Sequence, residues 1–149
     1  MQLKNCFGGE MEIKDSSREI LVNEISFVTK RMEKIDDPLK QIYYFSAIHG
    51  MIHRIMNIDY DPELVFAHHV LQSTHQLFLN RLHAFQKAGD NSIIIAEEQF
   101  KKLIDLSRDL GKQIKANKEI KDTLQSFVVL AYSTTGNGYY LFQKGLLKI

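Results

Sequence analysis

Residues 48–78 read IHGMIHRIMNIDYDPELVFAHHVLQSTHQLF, and their punctuation decides the fold. Asp61-Pro62 marks a helix start. An aspartate at the N-cap accepts an orphan backbone N–H, and proline suits the first helical position because its missing N–H had no partner there. Upstream, Ile42, Phe45, His49, Ile52 and Met56 recur at spacings of three and four, the period of one helix face. Downstream, Leu64, His68, Leu71, His75, Phe78, Leu82 and Phe85 do the same. Only Ile58 to Asp61 separates the two patterns, so they predict antiparallel neighbouring helices over about 38–57 and 62–88.

The same signals continue outward. Asp37-Pro38 opens the earlier of these helices. Ser16 begins S-S-R-E, which reads as a capping box with Glu19, ahead of a first helix over about 17–34. Its stripe is Leu21, Ile25, Val28, Met32 and Ile35. After Gly89 and the Asp90-Asn91 turn, a fourth helix is expected from about Ser92 to Ala116, weakened at Gly111 by about 1 kcal/mol relative to alanine. Asn117 is placed as the cap of a fifth helix reaching Thr135. Phe127 to Tyr132 is apolar around a full turn, which suggests a central helix, with a buried strand as the alternative. A short sixth helix, Tyr139 to Leu147, follows Gly136-Asn137-Gly138. Residues 1–15 read either as a β-hairpin turning at Gly8-Gly9 or as a free arm. The expectation is one all-α domain over 1–149, a closed bundle of about six helices with a short N-terminal β-hairpin or arm.

Composition narrows the function classes. The chain has 149 residues, 44% of them apolar, enough for a core without staples. Nineteen Lys and Arg against 18 Asp and Glu leave a net charge of +1, which gives no global attraction to nucleic acid or anionic membrane. Lys101, Lys102, Arg108, Lys112, Lys115, Lys118 and Lys121 are interleaved with Asp105, Asp109, Glu119 and Asp122, the pattern of a solvated face. No apolar run approaches the about 20 residues of a membrane span, and the N-terminus lacks a signal-peptide core, so a cytoplasmic protein is expected. Cys6 is the sole cysteine and is read as an inert thiol. T-T-G-N-G-Y-Y lacks the G-K-[ST] of a phosphate loop and reads as a helix stop.

All six histidines fall between His49 and His83. Histidine takes positions where the stripes call for leucine. Folding the chain about Tyr60 brings His49 and His53 opposite His68. His75 lies seven residues beyond His68, about 10 Å along a helix, and is placed outside that group. One reading is a metal site, with His49, His53 and His68 as ligands, His75 as an outlying candidate, and zinc, iron or nickel as the ion. The E-x-x-H pairs of di-iron bundles are absent, so a carboxylate would come from Glu24, Glu63, Glu97 or Glu98. The other reading is packed or interface histidines, satisfied by Tyr43, Tyr44, Tyr60, Gln72, Ser73 or Thr74, or lining a small-ligand cavity. His69 and His83 fall off the stripes, toward a partly exposed face.

HGMIH, the D-Y-D-P turn and F-A-H-H-V-L-Q-S-T-H together resemble small all-helical archaeal proteins classed as domains of unknown function. The resemblance implies a closed bundle of about six helices and carries no activity. Size and H-x-x-x-H are also similar to DinB-type helical-bundle metalloenzymes, but the order of histidines differs, so no residue role is carried over. The resulting expectation is a non-catalytic cytoplasmic bundle acting through self-association, as a homo-oligomer, or through a protein partner. The alternative is a histidine-ligated metal-binding bundle, hydrolytic or redox.

Overall fold

Five helices follow one another in the computed structural model, which describes residues 11–88 and 93–135, with side chains over 11–83 and 98–134. They are α1 (Asp15–Lys34), α2 (Pro38–Ile58), α3 (Pro62–Ala88), α4 (Ile93–Lys115) and α5 (Lys121–Thr135). The described residues contain no strand. The expected turn of the hairpin and the expected sixth helix lie outside the described residues.

Both Asp-Pro starts form as the sequence predicts. Asp37 accepts the N–H of Leu39 at 3.0 Å, and Asp61 accepts that of Glu63 at 2.8 Å. Two other caps differ from expectation. The first helix begins at Asp15, so Ser16 is already helical and cannot act as its cap. Lys14 takes the cap position without a side-chain bond, and its own N–H goes to the Asp59 carboxylate. Asn117 closes α4 rather than opening α5. With φ at 54°, it lets the Lys118 N–H reach the Gln113 carbonyl and its own N–H reach that of Ile114. This is the Schellman arrangement, in which a left-handed residue, usually glycine and sometimes asparagine, satisfies the last carbonyls.

Residues 11–14 are extended but do not pair as a strand. Glu12 donates its N–H to Asp61 at 2.7 Å, so Asp61 caps α3 with one oxygen and holds this segment with the other. Met11 and Ile13 are buried. Arg18 fastens the arrangement by donating to the carbonyls of Met11 at 2.9 Å and Ile114 at 2.7 Å. Gln41 similarly closes the C-terminal end of α1, donating to the carbonyls of Met32 and Ile35.

The helices pack as a ring in the order α1, α2, α3, α5, α4 and back to α1, with α2 also meeting α4. Phe45 of α2 and Phe127 of α5 meet at 6.1 Å although their helices are not neighbours in the ring. This is the middle of the core, where Leu21, Ile25, Ile48, Leu71 and Leu103 are also fully buried. The apolar run of the fifth helix is helical, not a strand, but it does not make α5 the axis. Leu124, Phe127, Leu130 and Ala131 are buried, while Val128 and Val129 are half-buried and Gln125 and Ser126 face solvent. No helix among the described residues is long and apolar enough to cross a membrane.

Candidate functional site: a row of imidazoles between α2 and α3

The α2–α3 hairpin turns over Asp59 and Tyr60, so residues whose numbers sum to about 120 share a level. His49 therefore lies level with about residue 71, and His53 with about residue 67. At about 1.5 Å per residue, His49 stands midway between His68 and His75. Its ring centroid is 5.7 Å from that of His68 and 5.5 Å from that of His75. His53 lies 5.3 Å from His68, and His69 5.6 Å from His68.

The result is a row, His75–His49–His68–His53, with His69 beside its outer end. His49, His53 and His68 come side by side, but His68 stands between the other two. Among the described residues, no three His, Cys, Asp or Glu side chains are grouped to hold a metal ion. His75, expected outside the group, is in contact with its centre. The axial distance from His68 was sound. What it omitted is that a residue on the opposite helix can touch both ends of that interval.

Burial runs along the row. His53 and His69 are exposed, whereas His49, His68 and His75 are half-buried. The Nε2 atom of His49 is buried and has no hydrogen-bond partner. The expected hydroxyl and amide partners are otherwise disposed: Thr74 donates to the Val70 carbonyl at 2.8 Å, and Tyr43, Tyr60, Gln72 and Ser73 face solvent. Burial first, then the rings of His75, His68 and His53, lower the His49 imidazole from 6.5 to about 4. Burial also lowers His68, reinforced by His53 and His69, and burial lowers His75. At neutral pH these three rings are uncharged, and a neutral imidazole carries one acceptor nitrogen.

Among the described residues, the carboxylates considered from sequence do not complete a ligand set. Glu24 is half-buried on α1, Glu98 is exposed on α4, and Glu63 is buried at the start of α3, while the Glu97 side chain lies outside the described ones. His83 is exposed and makes no part of the row.

No family model matches the chain. Neither the curated proteins nor the solved structures contain a match.

Proposed function

We propose that this is a helical-bundle protein that binds a transition-metal ion through the imidazole row of α2 and α3. One observation carries the reading. His49, on a core-facing stripe, keeps a buried Nε2 without a partner while two further imidazoles stand within 5.7 Å. A buried polar atom left unpaired costs about 1–3 kcal/mol, so its retention at a position suited to leucine calls for a partner, here taken to be a metal ion. Two imidazoles sharing one ion at about 2.0 Å have centroids roughly 5–6 Å apart. The contacts along the row, 5.3, 5.5, 5.6 and 5.7 Å, are compatible with that spacing and are equally those of ordinary ring packing. Neutral imidazole suits copper, nickel, zinc and iron, which differ in the further ligands they require.

The test is metal content after purification without chelator, followed by calorimetric titration with copper, nickel and zinc salts. Histidine-dependent uptake, lost in a His49→Asn, His68→Asn double variant that keeps its helical circular dichroism, is the expected result. No stoichiometric uptake of any of these ions overturns the proposal.

A second reading, self-association, has its own observation. Ile20 and Phe27 lie seven residues apart on one outward face of α1, each 52% exposed, with Arg31 standing 5.4 Å from the Phe27 ring. It predicts a dimer by sedimentation velocity that Phe27→Glu dissociates. A monomer at tens of micromolar would rule it out.

A further inference from the structure

The outward stripe of α1 is self-complementary when read backwards. Ile20, Glu24, Phe27 and Arg31 follow one another at spacings of four, three and four, and Ile35 at the C-cap adds a further four. Such spacings keep side chains on one side of a helix. The order is apolar, acidic, aromatic, basic, apolar. Reversed end to end, it keeps its apolar positions and exchanges its charges.

The chain itself does not satisfy this stripe. Ile20 and Phe27 are each 52% exposed, and Arg31 is exposed beside the Phe27 ring. Glu24 is half-buried, and among the described residues neither it nor Arg31 forms an ion pair. They stand seven residues apart, whereas pairs on one helix form at three or four.

We infer that two copies of this chain pair through α1, antiparallel about a twofold axis at Phe27, with Glu24 of each copy meeting Arg31 of the other. The inference rests on the self-association reading above and specifies its orientation and register.

The charges select that register. Centred between residues 27 and 28, an antiparallel pair sets Glu24 level with Arg31, Ile20 level with Ile35, and Phe27 beside its own copy. Centred between residues 23 and 24, it would set Ile20 on Phe27 but place the half-buried Glu24 against Asn23 and its own copy. A parallel pair would set Glu24 on Glu24 and Arg31 on Arg31. Facing like charges disfavour both alternatives, and the twofold axis repeats every favourable pair.

A stable dimer buries roughly 1,200–2,000 Å² in total, more than one helix stripe supplies. The second row comes from α2. Residues 35–37 join α1 to α2, so Phe27 is level with about residue 45 and Ile20 with about residue 52. At those levels Tyr44, Ala47 and Met51 are only partly buried. At 3.6 residues per turn they lie across α2 from His49 and His53, which face α3. The apolar face therefore continues from α1 onto α2.

The experiment is sedimentation velocity on the full chain and three charge variants, with circular dichroism as the check on folding. Glu24→Arg sets arginine against arginine twice in the dimer, and Arg31→Glu sets glutamate against glutamate twice. Each should weaken dimerisation by roughly tenfold or more. The double variant Glu24→Arg, Arg31→Glu should return to the parent affinity. An equimolar mixture of the two single variants should also dimerise, because one copy of each restores both pairs. An unfolded variant could not give that recovery. A dimer weakened by neither single variant would overturn the register while leaving self-association intact, and so would a mixture that stays monomeric. A parent chain that is monomeric at tens of micromolar would remove both readings.

Discussion

The seam between α1 and α4 and the seam between α2 and α3 follow the same three-and-four spacing, yet they close in opposite ways. In the first, Ile25 packs against Gly111 so tightly that a Cβ on the glycine would stand 2.9 Å from the isoleucine Cγ2. Leu21, Val28, Leu110 and Ile114 are all buried, and the buried Ser107 turns its hydroxyl back onto the Leu103 carbonyl. In the second, imidazoles occupy leucine positions and one ring nitrogen goes unpartnered. At the first seam a glycine makes room for an isoleucine. At the second, half-buried imidazoles stand side by side, one with an unpartnered nitrogen.

Substitutions can break this contrast, beginning with the tight seam. Ile25→Ala should lower unfolding free energy by about 3 kcal/mol, because a buried isoleucine truncated to alanine leaves a cavity. Adding Gly111→Ala to that variant should recover up to about 1 kcal/mol through helix propensity. In the parent chain the same glycine change should recover less, since Ile25 is then in the way. Urea melts of the four proteins complete a double-mutant cycle, and strict additivity would show that the close approach has no energetic weight.

On the other seam, Asp61→Ala should cost about 1–2 kcal/mol, the usual value of an N-cap. It should also release residues 11–14, seen as faster amide exchange at Glu12. His49→Leu should go the other way and stabilise the metal-free protein by about 1 kcal/mol, by removing the unpaired buried nitrogen. Destabilisation by His49→Leu would mean that the imidazole is a packed structural residue, and the contrast would fail.

A further effect is one of pH. His49 is lowered from 6.5 to about 4, so the unfolded chain binds its proton first as pH falls. Stability of the metal-free protein should be complete above about 6.5 and decline toward about 4, with His68 and His75 contributing in the same direction. Denaturant midpoints across that window should slope upward with pH, and the slope should flatten in His49→Leu.

Helix positions were legible because their signals are local. The aspartate and proline at 37–38 and 61–62 act on their own first turns, and both form the expected caps. Signals that depend on tertiary context misled. The Ser16 capping box loses to an extended segment docked on Asp59 and Asp61, two residues that lie 45 or more positions away. Asn117 carries the same letter whether it caps a start or a stop, and only the left-handed backbone distinguishes them. Gly111 reads as a weak point in a helix, although its missing Cβ is what leaves room for Ile25 of α1. The histidine stripe was visible, but its division into contacts was not. The short turn fixes the stagger of α2 against α3; what spacing along one helix hides is that His49, level with about residue 71, reaches both His68 and His75.

Arg18 carries a consequence for the order of assembly. Its guanidinium holds the Ile114 carbonyl from 96 positions away along the chain. The α2–α3 hairpin closes over a turn of a few residues, so its loop entropy is small and it can form early. Closure of α1 on α4 spans a far longer loop and is expected to come later. Arg18→Ala should therefore leave the refolding rate nearly unchanged and raise the unfolding rate, by about fivefold per kcal/mol lost. One guanidinium then acts as the latch on a finished ring, governing how long the protein stays folded rather than how fast it gets there.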